Sequence, residues 1–342
     1  MLSELEGGYG GEPHSDDAKE EELSVFPTTI LLATDGSPQA ETAARMAATL
    51  SGMTGSGMHV VYVEPLQGAY ADTDNLPVGD PEYRARVLET VERGARKKLG
   101  EEATKVGGMG GVAGTHARTG RPDAEIVRLA EELGAGLIVL GSRGLGPLKR
   151  TLLGSVSGSV VRHAPASVLV VRDGGHLPGR VLLALDGSEE SEAATRAAVE
   201  ISNSTGSELH LVFALPTVPS PPYAHSHVSE SWVDVLESFK HSSRKFVDGE
   251  AQRIEGEGCR VKDAHLRFGE PDAEIVRLGE ELEAALVVMG SRGLGAVGRA
   301  LMGSTSDSVV RHAHCPVLVV RDKEARRPTA TRSFKQWGST LQ

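Results

Sequence analysis

The chain has 342 residues, enough for about two domains of roughly 150 residues, each with an ordinary core. Its 47 acidic against 36 basic residues leave a net charge of -11, which argues against a general affinity for nucleic acid or an anionic membrane. Two cysteines, Cys259 and Cys315, make a disulfide framework implausible and suit a reducing cytoplasm; each reads as a small buried hydrophobe. No apolar run approaches the ~18 residues that span a bilayer, and the first residues are acidic where a secretory leader is basic, so a cytoplasmic protein is expected.

Residues 1–26 are rich in Gly, Asp and Glu and are expected to form an acidic, disordered tail. Thr28 to Thr34 reads as a buried strand ending in Asp35-Gly36-Ser37-Pro38, after which Ala40, Ala43, Ala44, Ala47, Ala48 and Leu50 give one small-residue helical face. Met58 to Val63 is the next strand. A long loop through Tyr70 and Pro77 leads to a charged helix from about Pro81 to Lys105, a strand near Val112 to Arg118, and a helix from Pro122 to Leu133 opened by proline. The apolar run Leu137-Ile-Val-Leu140 meets a glycine loop, followed by a helix from Gly154 to His163 and a last strand from Ser167 to Arg172. Strands alternating with helices call for a parallel sheet covered on both faces.

After a short linker, residues 174–178, the plan restarts. Arg180 to Asp186-Gly-Ser188 repeats the first strand and its end, and Gly269-Glu-Pro-Asp-Ala-Glu-Ile-Val-Arg277 repeats Gly120-Arg-Pro-Asp-Ala-Glu-Ile-Val-Arg128 with one change. A nearly constant offset over the whole unit marks a tandem duplication of a complete domain. The halves differ most after the second strand, where the second carries Pro216-Thr-Val-Pro-Ser-Pro-Pro222 and His225-Ser-His227. Those two histidines lack the further ligands of a metal site and read as a solvated loop. Residues 323–342, with Arg326, Arg327, Arg332 and Lys335, are expected to be a flexible tail.

The stretch with most chemistry occurs once per half. Gly141-Ser-Arg-Gly144 is followed after nine residues by Gly154-Ser155, and Gly290-Ser-Arg-Gly293 after nine residues by Gly303-Ser304. Each sits where a buried strand hands over to a helix. Glycine lets a ligand approach the main chain, and the first N–H groups of a helix are unpaired and carry the positive end of its dipole, a combination that suits phosphate. Ser155 and Ser157, matched by Ser304 and Ser306, add hydroxyls there; helix capping explains them equally well. Arg143 and Arg292 are within the loops, either to meet phosphate or as solvated cations. Lys149, Arg150 and Arg299 fall in the same class. His163 and His312, at helix ends, are accounted for by the helix dipole.

The Asp-Gly-Ser strand end together with G-x-x-G, nine residues, G-S in each half resembles the universal stress protein family, over roughly residues 27–173 and 179–322. The resemblance implies two tandem Rossmann-like α/β domains, each a five-stranded parallel sheet in the order 3-2-1-4-5 with helices on both faces. It also implies one ATP per domain, with Mg2+. By position, Asp35 and Asp186 would lie near adenine and ribose, and Ala33, Thr34 and Val63, or Ala184 and Ala214, would line the base. Gly141, Arg143, Gly144, Gly154, Ser155, Val156 and Ser157 would face ribose and phosphates, as would Gly290, Arg292, Gly293, Gly303, Ser304, Thr305 and Ser306. Both Asp residues equally suit a turn or helix cap after a strand. The crevice at the carboxyl ends of the first and fourth strands is where open α/β sheets bind ligands.

The function implied is an ATP-binding stress-response or signalling protein whose nucleotide occupancy alters what a protein partner meets. The alternatives are a slow ATPase or nucleotidyl-transfer enzyme, for which no G-x-x-x-x-G-K-[ST] loop or general base is found, and a nucleotide-free interaction module. The apolar last strands, Ser167 to Arg172 and Pro316 to Arg321, would pair as an internal pseudo-dimer, on which a homodimer of tandem chains could build. Thr34 is replaced by Leu185 and Val63 by Ala214, so unequal base pockets are expected, by about 1 kcal/mol per lost polar contact.

Overall fold

The structure is a computed structural model describing residues 29–65, 81–144, 153–172, 176–217, 230–293 and 302–321. Both tails, the loop through Tyr70 and Pro77, the spacer cations Lys149, Arg150 and Arg299, and the His225-Ser-His227 stretch lie outside the described residues.

The first half runs β1 (Thr29–Thr34), α1 (Pro38–Thr54), β2 (Gly57–Pro65), α2 (Pro81–Gly107), β3 (Val112–Gly120), α3 (Pro122–Glu132), β4 (Leu137–Gly141), α4 (Ser155–His163) and β5 (Ser167–Val171). The second runs β6 (Arg180–Leu185), α5 (Glu189–Thr205), β7 (Glu208–Leu215), α6 (Glu230–Gly256), β8 (Val261–Phe268), α7 (Pro271–Glu281), β9 (Leu286–Gly290), α8 (Ser304–His312) and β10 (Val317–Val320). The second and third strands outrun their apolar cores: Glu64 still pairs with Thr119 and Pro65 with Gly120, because ladder pairing continues after the side chains turn polar.

All ten strands form one sheet in the order β3-β2-β1-β4-β5-β10-β9-β6-β7-β8, so each half repeats the order 3-2-1-4-5. Pairing is parallel within each half, and β5 meets β10 antiparallel, Leu169 opposite Leu318. Strand alternation sends Ile30 and Leu32 into a core under α1, α2, α5 and α6, and Leu31 and Ala33 into a core under α3, α4, α7 and α8. This explains the unbroken apolar reading of β1, β4, β6 and β9. Cys259 is buried in the first of these cores, and Cys315 packs against the second. Burial raises both thiols, that of Cys315 to about 11, so neither is a ready nucleophile.

Two arginines lock the halves together. Arg172, just past β5, donates from Nη2 to the Val310 and Arg311 carbonyls of α8 at 2.7 and 3.0 Å. Arg321, just past β10, donates in return to the Val161 and Arg162 carbonyls of α4 at 2.6 and 3.3 Å. Each guanidinium meets carbonyls at a helix C-terminus, where the dipole favours a cation. Arg162 of α4 also reaches Asp307 of α8 at 3.5 Å.

Candidate functional site

β1 and β4 lie side by side, so Asp35 and Gly141 come to the same edge of the sheet. Gly36 turns the chain with φ +77°, a left-handed conformation that suits glycine. Ser37 then caps α1, accepting the Ala40 N–H at 3.2 Å, while its own N–H donates to Asp35 Oδ1 at 3.0 Å. The other carboxylate oxygen of Asp35 faces the glycine loop: a Cβ on Gly144 would lie 2.1 Å from Oδ2. The second half repeats this contact, with Gly293 2.2 Å from Asp186 Oδ2 on the same construction. Asp186 Oδ1 there accepts both the N–H and the hydroxyl of Ser188, at 3.0 and 2.6 Å.

The loops then return to a helix start. Gly154 N–H donates to the Ser142 carbonyl at 2.8 Å and Gly303 N–H to the Ser291 carbonyl at 2.9 Å. Ser157 and Ser306 are buried, and their hydroxyls donate to Ser142 O and Gly290 O at 2.9 and 2.8 Å, so both are spent on fixing the loop. Ser155 and Ser304 are exposed, and Val156 and Thr305 half-buried. Neither α4 nor α8 has a side-chain cap. The N–H groups of Ser155, Val156 and Ser157, and of Ser304, Thr305 and Ser306, make no hydrogen bond among the described residues. By contrast α1 and α5 are capped by Ser37 and Ser188. α3 and α7 lack such a cap too, but their first turns carry proline and two carboxylates of their own.

The repeated Pro-Asp-Ala-Glu stretch now has a physical role. Asp123 at the start of α3 accepts the Ser159 hydroxyl of α4 at 2.7 Å, and Asp272 accepts Ser308 of α8 in the same way. Helices α4 and α8 are thereby pinned from the side. His163 and His312 place Nδ1 2.8 Å from the Ser159 and Ser308 carbonyls, a helix-end role.

The glycines are not all explained alike. Gly141 and Gly290 are required by packing, since a Cβ would come within 3.0 and 2.9 Å of Gln39 and Glu190 at the starts of α1 and α5. Gly154 is tight, with Ser142 O and Ser157 Oγ both 3.2 Å from such an atom. At Gly303 the nearest protein atoms would be 3.5 Å away, ordinary contact, with φ -66° open to any residue. Packing among the described residues does not demand glycine there.

Ala33, Val63 and Ala184 are buried, with Ala214 packed beside them, on the face of the sheet that carries α4 and α8. Thr34 points the other way: its hydroxyl donates to Glu102 of α2 at 3.2 Å and accepts the Gly36 N–H at 3.2 Å. A side chain next to Ala33 on a strand must face the opposite side, so the Thr34-to-Leu185 change does not set the polarity beside Ala33 and Val63. It accompanies a different change. A Cβ at Gly36 would meet Glu102 at 3.4 Å, and one at Gly187 would meet Phe246 at 3.5 Å. Sequence reading also passed over Glu190, which pairs with Arg292 at 2.7 Å.

The model of the universal stress protein family matches this chain twice, at residues 27–172 and 178–321. The chain belongs to the universal stress protein family. A universal stress protein of Mycolicibacterium smegmatis is 31% identical over 312 residues, covering 86% of this chain and 97% of that one. A solved universal stress protein from Archaeoglobus fulgidus DSM 4304 is 26% identical, covers 86% of this chain and 98% of its own, and superposes with a TM-score of 0.61. A Pseudomonas aeruginosa PAO1 protein described as functionally unknown shares the fold at 19% identity and a TM-score of 0.60, covering 88% and 95% of the two chains. This universal stress protein therefore has relatives in which the tandem arrangement extends over the whole chain. Among its described residues no helix is long and apolar enough to cross a membrane.

Proposed function

We propose that each half of this universal stress protein binds an adenine nucleotide, ATP with Mg2+, across the carboxyl ends of its first and fourth strands, and that occupancy alters the surface met by a protein partner. The observation that carries the reading is the pair of uncapped helix starts, each with three N–H groups that have no partner among the described residues, set beside Asp35 and Asp186. The residues present fit the ligand: N–H groups and dipole ends for phosphate, a carboxylate held by a turn for ribose, and small apolar side chains, Ala33 and Val63 or Ala184 and Ala214, for the base. A glycine at position 303, where a Cβ would meet protein atoms only at ordinary contact distance, leaves the main chain open to a phosphate. Mg2+ would supply charge neutralisation between phosphate oxygens.

Mass spectrometry of small molecules released from gently purified protein, with ATP calorimetry on the same batch, tests this. Two ATP per chain, lost in a Gly154→Val, Gly303→Val double variant that keeps its circular dichroism, is the expected result. Absence of released nucleotide and of binding heat would leave the interaction-module reading in its place.

A further inference from the structure

The halves share a backbone plan but not a charge plan at these sites. At the start of α5, Glu190 lies against Gly290 and binds Arg292 at 2.7 Å, with both side chains largely buried. At the corresponding place in the first half, Gln39 lies against Gly141. Among the described residues no carboxylate pairs with Arg143, and its Nε is buried without a hydrogen-bond partner. The helices differ too. α8 carries Asp307 in its first turn, where α4 carries Gly158. Asp307 is held in place by Arg311 at 2.7 Å and by Arg162 at 3.5 Å. Two independent substitutions therefore make the surroundings of the second site more negative: one neutralises its loop arginine, the other sets a carboxylate at the dipole end that would attract phosphate.

We propose that the halves divide adenine nucleotides by phosphate charge, the first half taking the polyphosphate form and the second a form with fewer phosphate charges, such as the monophosphate. This rests on the reading that both halves bind adenine nucleotide. Each added carboxylate repels the extra phosphate charges of ATP and leaves the shared adenosine contacts alone. For charges about one Debye length, ~10 Å, from the phosphates in a high-dielectric cleft, the two together lower the ATP-over-AMP preference by about tenfold at low salt.

Calorimetry with ATP and AMP on two single variants reads each half by itself: Gly303→Val reports the first half, Gly154→Val the second. The expected result is an ATP-over-AMP affinity ratio about tenfold higher in the first half, with the difference shrinking as salt is raised. Adding Glu190→Gln and Asp307→Gly to the Gly154→Val protein should raise its ratio toward that of the first half. Adding Gln39→Glu and Gly158→Asp to the Gly303→Val protein should lower its ratio. A Cβ on Gly158 would press on Leu153 Cδ2 at 3.3 Å, the end of a side chain that must give by a few tenths of an ångström, and would meet Arg162 Nη1 at 3.5 Å, which stands four residues on, as Arg311 does from Asp307. Equal ratios in the two halves, or ratios that both exchanges leave unmoved, would overturn the division while the nucleotide reading stands. No heat from either nucleotide with the unmodified protein would remove both.

Discussion

Replacing Arg172, a residue only 6% exposed, by methionine removes the guanidinium while keeping most of its aliphatic stem. Arg172 donates two hydrogen bonds, at 2.7 and 3.0 Å, to carbonyls of α8 in the other half. A charge-assisted bond contributes about 1.5–3 kcal/mol, and a cation at a partly buried helix C-terminus up to about 2 kcal/mol. Against this stands desolvation of the charge: burial, and then the nearby Arg143, depress the guanidinium below its usual range. Taking a single lost bond pair net of that cost, the loss is about 3 kcal/mol, the order expected when two buried carbonyls lose their donor. Urea unfolding should show a lower midpoint with little change in slope, and a thermal midpoint reduced by roughly 4 °C for a protein of this size. Arg321→Met should do the same, because it makes the reciprocal contact with α4. A loss below about 1 kcal/mol in both variants would mean that the arginines are spectators and that the β5–β10 pairing, with the other contacts across it, holds the halves together.

Gly144→Ala and Gly293→Ala drive a methyl to about 2.1–2.2 Å from the Asp35 and Asp186 carboxylates, so each should cost about 1–3 kcal/mol and weaken nucleotide binding in its own half only. Adding Asp35→Ala to Gly144→Ala should restore stability in urea but not binding. Thr34→Val removes the bonds to Glu102 and the Gly36 N–H and should cost about 1 kcal/mol in the same assay. The stacked pairs His59–His116 and His210–His265, 3.0 and 3.4 Å between facing ring nitrogens, give a pH signature. Burial lowers His116, His210 and His265, with the partner ring adding to the effect on His116 and His210. A histidine depressed in the folded state binds its proton more readily when unfolded. Its contribution is therefore full above about pH 6.5 and lost as pH falls through that value toward the folded one. Urea midpoints should decline over that window, and a His116→Gln, His265→Gln variant should flatten the decline.

Much of this was legible because it depends on local pattern. Ile30 to Ala33 are apolar without interruption since both faces of β1 are buried, and Asp35 and Gly141 could be brought together because the strand order follows from alternating elements. The pairing of the last strands followed from Val168 to Val171 being apolar at an edge. What escaped depends on contacts between distant stretches. Arg172 after a strand reads like any solvated cation, and only the antiparallel seam brings α8 to it. The Glu190–Arg292 pair joins the start of one helix to a loop far along the chain, and no spacing rule predicts it. Thr34 was placed with Ala33 through its position in a motif, although alternation along a strand already separates their faces.

The antiparallel seam has one more consequence. Strands run parallel within each half and reverse across β5 and β10, so the carboxyl ends of the two sets of strands open at opposite margins of a single ten-stranded ribbon. A compact partner that grips one glycine loop leaves the other facing away from it. The two glycine loops therefore share no common face, and whatever meets one approaches the sheet from the side opposite the other.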